Sequence, residues 1–159
     1  MRKKEKSFMK KDTSKLDEIL NSGKRDMLAG FFKENEGDML SPALSSGTFI
    51  RDLAKKNGLK LDEAYMRAGM SASYGRKISS GKNVQKRDTI IRLAVALHAD
   101  LTEANRLLKL YGLRALYPRD KRDAVLIVAF NEGLSDTNDV DDLLAEYGLP
   151  PLEKCSRED

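Results

Sequence analysis

The sequence predicts an all-α fold, on three observations. Apolar residues recur at helical spacing through most of the 159-residue chain. Glycines stand just past the ends of several of these stretches, where helix C-termini favour them. One long helical pattern also occurs twice, which implies a hairpin of helices followed by its copy.

The composition suits a soluble globular chain: 40% apolar, 34% charged and no Trp. No run approaches the roughly 18 apolar residues needed to span a bilayer, so no membrane partner is expected. The start "MRKKEKSFMKKD" has no apolar segment behind it and does not read as a signal peptide. Residues 1–13 are lysine-rich and nearly free of apolar side chains, which predicts disorder.

"SKLDEILNSG" and "KRDMLAGFFKENEG" each predict a short helix closed by glycine, with Leu16, Ile19 and Leu20, then Leu28, Phe31 and Phe32, on apolar faces. "DMLSPALSSG" reads as a linker by its Pro, Ser and Gly. Five helices are expected next. "TFIRDLAKKNG" has Thr48 as N-cap and Gly58 past its end. The second starts near Leu61, with Asp62 and Glu63 favourable to the dipole of its first turn. Ser71 suits the N-cap of the third, since its hydroxyl can accept a free backbone N–H. "RDTIIRLAVALHA" places Ile90, Ile91, Ala94 and Leu97 on one face, and "TEANRLLKLYG" ends at Gly112.

The repeat follows. Arg87-Asp88 recurs as Arg122-Asp123, Leu107-Leu108 as Leu143-Leu144, and Tyr111-Gly112-Leu113 as Tyr147-Gly148-Leu149, the offset drifting from 35 to 36 residues. Each Gly suits a left-handed C′ position and each Leu can fold back on its helix. Two copies are too few for a solenoid. "AVLIVAF" could be a buried strand, but its counterpart "TIIRLAVAL" and its flanks favour helix. A helix apolar on nearly every side needs cover on more than one side. The N-terminal helices or a second subunit are the expected cover. The organisation expected is a basic tail at 1–13, helices and linker at 14–47, a domain at 48–118, a C-terminal hairpin at 119–152 and a polar tail at 153–159.

The net charge of +4 hides a gradient: residues 48–98 carry eleven Lys/Arg against four acids, and 134–159 carry two against eight. A local excess of positive charge is the footprint expected of a nucleic-acid surface. The only cysteine, Cys155, cannot form an intrachain disulfide, which fits a reducing cytoplasm. His98 has no Cys or second His for a metal site, and reads as a surface histidine at a helix end. No phosphate loop, catalytic triad or Cys–His set is suggested, so neither enzyme activity nor a cofactor is expected.

Two short helices joined by Gly69-Met70-Ser71, with one helix before and two after, resemble the lambda-repressor-like (Xre-type) helix-turn-helix family. The matching features are Ala68-Gly69-Met70-Ser71 at the turn, Ser73-Tyr74 in the next helix, Ile78, Gly81-Lys82, and Arg87-Asp88 opening the helix after. The resemblance covers about residues 48–112. The whole chain further resembles helix-turn-helix proteins of Gram-positive bacteria with a duplicated C-terminal hairpin. The resemblance implies double-stranded DNA as partner, with residues 71–80 as the recognition helix in the major groove and the preceding helix across the phosphates. It places Ala72, Ser73 and Lys77 toward the bases with Tyr74 and Arg76 beside them, and Ser71, Ser80 and Lys82 near phosphates. The family's usual polar donor at the start of the first motif helix is Leu61 here, for which Lys60 is the substitute.

One further departure is a size exchange: Tyr65 stands where the family commonly has Ala, and Gly75 where it commonly buries Ile or Val. Tyr65 is expected to fill the space that Gly75 vacates. The function expected is a bacterial, cytoplasmic, sequence-specific transcriptional regulator without enzyme activity. The alternative is a helical protein-interaction module, adapter or antitoxin-like, that has lost DNA binding. Residues 119–149 are expected to be surplus to DNA recognition and to contribute to a homodimer.

Overall fold

The structure is a computed structural model that describes residues 13–39, 42–81 and 85–155. Residues 1–12 of the stretch expected to be disordered and the phosphate candidate Lys82 lie outside the described residues, while Thr13 opens the first helix. Every regular element among the described residues is helical, as the periodicity requires. The chain divides into two units, Met1–Ser41 and Pro42–Asp159.

In the first unit, α1 spans Thr13–Asn21 and α2 spans Leu28–Glu34. The expected second helix is shorter than its glycine-closed pattern, because tight 3-10 turns at Arg25–Met27 and Glu36–Asp38 flank it. Of the apolar residues assigned to these helices only Phe31 is buried, while Leu28 and Phe32 are exposed. The Asn35 amide donates to the Phe31 carbonyl at 2.8 Å and closes α2.

The second unit opens with α3, Pro42–Lys56, and this corrects two expectations. The second half of the expected linker is helical, and Thr48 is an interior residue rather than an N-cap. Pro42 is tolerated because a first-turn N–H has no helical partner to lose. Ser46 and Gly47 lie mid-helix for a packing reason. The Ser46 hydroxyl donates to the Ser79 carbonyl at 3.3 Å, and a Cβ on Gly47 would stand 2.8 Å from that same oxygen.

After α3 come α4 (Leu61–Arg67), α5 (Ala72–Ser79), α6 (Arg87–Ala96), α7 (Leu101–Leu110), α8 (Lys121–Asn131) and α9 (Thr137–Glu146). Helix α6 is the axis of the unit. Every residue from Thr89 to Ala96 is buried, so the single apolar face expected for it is too narrow. It packs on α7, α4 and α9. Burying one Leu or Ile contributes about 1.5–3 kcal/mol, and α6 alone buries Ile90, Ile91 and Leu93 completely. The exposed His98 ends it in a left-handed conformation at φ 59°. Helix α8, expected to need cover on more than one side, buries Leu126, Ala129 and Phe130 in the core of this unit and leaves Val128 exposed.

The two hairpins, α6–α7 and α8–α9, repeat each other's bonds. Each ends in a Tyr-Gly-Leu cap with Gly112 at φ 69° and Gly148 at φ 68°. The Leu113 N–H bonds the Leu108 carbonyl at 2.9 Å, and the Leu149 N–H bonds the Leu144 carbonyl at 3.0 Å. Leu116 N–H donates to Asn105 and Leu152 N–H to Asp141, and both leucines are buried. At the junction Arg87 pairs with Asp123 and Arg122 with Asp88. Arg87 also donates to the carbonyls of Arg114 and Ala115, and Arg122 to those of Pro150 and Pro151. Such reciprocity, in which i grips j′ and j grips i′, marks a two-fold relation between the copies.

Candidate nucleic-acid interface

The site is the pair α4 and α5 with the turn between them. Helix α4 closes when Gly69 takes φ 87°, so that its N–H meets the Met66 carbonyl at 3.0 Å and the Met70 N–H meets Tyr65 at 3.1 Å. Ala68 and Met70, on either side of that glycine, are buried and anchor the turn in the core. Ser71 then caps α5 as its side chain predicts: its Oγ accepts from the Tyr74 N–H at 3.1 Å.

Helix α5 has two unlike faces. Gly75, Ile78 and Ser79 are buried, whereas Ser73, Arg76 and Lys77 are exposed. Positions i, i+3 and i+4 share a face, so these three side chains project together into solvent. The buried face holds the size exchange. Tyr65 is fully buried, and a Cβ built on Gly75 would overlap its ring atoms.

Hydroxyls from three helices fix the far end of α5. The Tyr65 hydroxyl, from α4, is hydrogen-bonded to the Ser79 hydroxyl. Ser46, from α3, donates to the Ser79 carbonyl, and Tyr111, at the end of α7, donates to the Ile78 carbonyl at 2.6 Å. Burial pushes the Tyr111 hydroxyl up to about 12, so it remains a proton donor at neutral pH. Burial likewise raises Tyr65. The Ile78 carbonyl also accepts the Gly81 N–H at 3.0 Å, so the core hydroxyls add to the backbone bonds that close α5.

The residues implied by the resemblance divide on this geometry. Ser73, Arg76 and Lys77 stand on the open face. Ala72 is half-buried. Tyr74, expected beside the bases, is half-buried against the core, and its hydroxyl donates to Gln85 at 3.3 Å. Arg76 donates to Asp62 at 3.2 Å, an exposed pair joining α5 to the start of α4. Among the phosphate candidates, Lys60 and Ser71 are exposed at the N-terminal ends of α4 and α5. Ser80 is half-buried and its hydroxyl donates back to the Lys77 carbonyl.

A domain that recognises nucleic acid through a helix needs that helix exposed on one side and immobilised on the other, and α5 has both properties. Residues 47–113 match the family model of a helix-turn-helix domain. No curated protein and no solved structure matches the chain. The matched stretch runs from the middle of α3 to the Tyr-Gly-Leu cap of α7, and α8 and α9 lie beyond it. An open cleft of about 620 Å³ lies where the two hairpins meet, beside Lys86, Arg87 and Arg122. Its cations are engaged: Lys86 with Glu153, Arg87 with Asp123 and Arg122 with Asp88. Among the described residues, no group of three or more His, Cys, Asp or Glu could hold a metal ion, and no helix is long and apolar enough to cross a membrane.

Two features of the fold have signals in the sequence that local pattern does not interpret. Ser46-Gly47 marks the close approach of α3 to α5, and the recurring Arg-Asp marks the junction of the hairpins.

Proposed function

We propose that the protein is a sequence-specific DNA-binding regulator that lays α5 in the major groove. The observation that carries this reading is the exposed row Ser73, Arg76 and Lys77 on a helix whose opposite face is locked into the core. Arg and Lys can donate to guanine O6 and N7, and Ser can pair with several base edges. Lys60, Ser71 and, by the family resemblance, Lys82 serve the phosphates, which position the domain without reading sequence. This role belongs in a bacterial cytoplasm, with transcription as the process controlled.

A second reading, an interaction module that has lost DNA binding, has one observation in its favour. Asp62 and Glu63 are exposed at the start of α4, where a phosphate backbone would approach, and Asp62 already engages Arg76. Selection of genomic fragments by the full chain at near-physiological salt separates the two. Under the first reading a selected duplex binds more tightly than random DNA. Lys77→Ala then costs about 1–3 kcal/mol at one base position, while Lys60→Ala weakens all sequences alike. Equal binding of selected and random duplexes supports the second reading.

A further inference from the structure

The second hairpin presents a face that its counterpart does not. With α4 packed on α6 and α3 on α7, Leu93 and Leu107 are fully buried, and Tyr111 is held against α5 by its bond to Ile78. At offsets of 35 and 36 residues the same places hold Val128, Leu143 and Tyr147. Val128 is 47% exposed and Tyr147 57% exposed, and Leu143 is half-buried. Leu143 and Tyr147 lie one turn apart on and just past α9, and α8, bearing Val128, packs directly against α9.

The changes between the copies have a direction. Where the first hairpin buries Leu97 and Leu110, the second exposes Glu132 and Glu146. The apolar centre keeps its residue type while its margin has become acidic. From Asp123 to Glu153 the chain carries eight carboxylates and no Lys, Arg or His.

We propose that this face of α8 and α9 is a protein-docking surface and that its occupant is a cationic amphipathic helix of a partner protein. The duplication supplies the shape, because the equivalent face of α6 and α7 already receives the helices of the helix-turn-helix domain. Charge complementarity selects the occupant. An apolar row on the partner desolvates Val128 and Tyr147, and its lysines or arginines meet Glu132 and Glu146 at the rim. The same charge repels DNA, and it repels a second copy meeting this face with its own in a two-fold dimer.

The test uses the full chain and a synthetic helical peptide with leucine on one side and lysine on the other. Its control replaces every lysine with glutamate. The expected result is saturable binding of the cationic peptide alone, with NMR shifts centred on Val128, Leu143 and Tyr147. Val128→Asp, which adds negative charge while removing the apolar contact, should weaken binding at least about tenfold, equivalent to ~1.4 kcal/mol. Glu132→Lys with Glu146→Lys should weaken it similarly. Shifts centred elsewhere, equal binding of the anionic peptide, or unchanged affinity in Val128→Asp would overturn the proposal. So would sedimentation equilibrium showing dimers that Val128→Asp dissociates, since the face would then belong to a second copy. None of these outcomes depends on whether the chain binds DNA.

Discussion

Arg87 holds Asp123 through two parallel hydrogen bonds of 2.7 Å, and Arg122 holds Asp88 in the same way at 2.9 and 2.8 Å. Each arginine opens one hairpin and grips the carboxylate that opens the other. Bidentate pairs of this kind are the strong form of a charged hydrogen bond. Asp123 also accepts the Tyr117 N–H, and Asp88 the Glu153 N–H.

Removing one partner of a buried pair is expected to cost roughly 3 kcal/mol, because the other charge is left uncompensated. Asp123→Ala should therefore lower stability by about that amount. Asp88→Ala should cost less, since Asp88 keeps more contact with solvent. Urea unfolding of the two variants checks the order, and equal losses would show that the two pairs are energetically alike.

The same carboxyls predict an acid limb. Burial alone would raise Asp123 and Asp88, but the Arg87 and Arg122 hydrogen bonds, the Tyr117 and Glu153 N–H groups and the arginine charges outweigh it and hold both below the usual range. Groups lowered on folding stabilise the folded chain above their unfolded value, about 3.9 for Asp, and lose that contribution as pH falls through the folded value. Stability from this source should be level above about pH 5 and decline below about pH 4. Asp123→Asn should flatten that decline in unfolding curves taken across the acid range.

Gly75 and Tyr65 form a second testable pair. Gly75→Ile should destabilise by about 1–3 kcal/mol through overpacking against the Tyr65 ring. In a Tyr65→Ala background the same change should cost much less or become favourable. Additive losses across that double-mutant cycle would mean that the two residues are not packed together.

Tyr111→Phe keeps the ring and removes the hydroxyl that serves the Ile78 carbonyl. The Ile78 carbonyl keeps the Gly81 N–H at 3.0 Å, so losing one of its two hydrogen bonds should cost about 0.5–1.5 kcal/mol, and the effect should be local. Amide hydrogen exchange should quicken at the C-terminal end of α5 while α6 retains its protection. Uniform acceleration across both helices would show that Tyr111 supports the whole core rather than the seating of α5.

The legible parts of this fold were those encoded by local pattern. Ser71 as a cap, Gly69 in the turn, the paired Tyr-Gly-Leu caps and the Tyr65–Gly75 exchange each depend on residue types whose chemistry admits few alternatives. What escaped were relations between distant elements. Pro, Ser and Gly are turn formers and suggest a linker at Pro42, yet Ser46-Gly47 is shaped by Ser79, far along the chain. Tyr74 is another such case, since its contact with Gln85 joins α5 to a residue beyond the next turn. Arg92, a cation within an apolar stretch, is buried because carbonyls of the C-terminal segment receive it.

That last contact bears on the expectation that the domain ends near Pro118. Arg92 donates to the carbonyls of Glu153 at 2.8 Å and Leu152 at 3.1 Å. A fragment of residues 42–118 would leave this buried guanidinium and that of Arg87 short of partners. It should be largely unfolded by circular dichroism at a temperature where the full chain is folded. A folded fragment with native-like stability would show that the hairpin is dispensable.

The strand of chain after α9 reaches further still. Cys155 is half-buried, and its thiol donates to the carbonyl of Ala68, the residue before the glycine of the turn. With α8, α9 and α5 in one compact unit, the second hairpin and α5 are expected to melt together, with a shared unfolding free energy. Thermodynamic linkage follows from that alone. A molecule bound to α8 and α9 at a hundredfold excess over its Kd would add about 2.7 kcal/mol to the stability of α4 and α5 as well. Occupancy at one end would register at the other as a higher melting temperature, with no atom of α5 displaced.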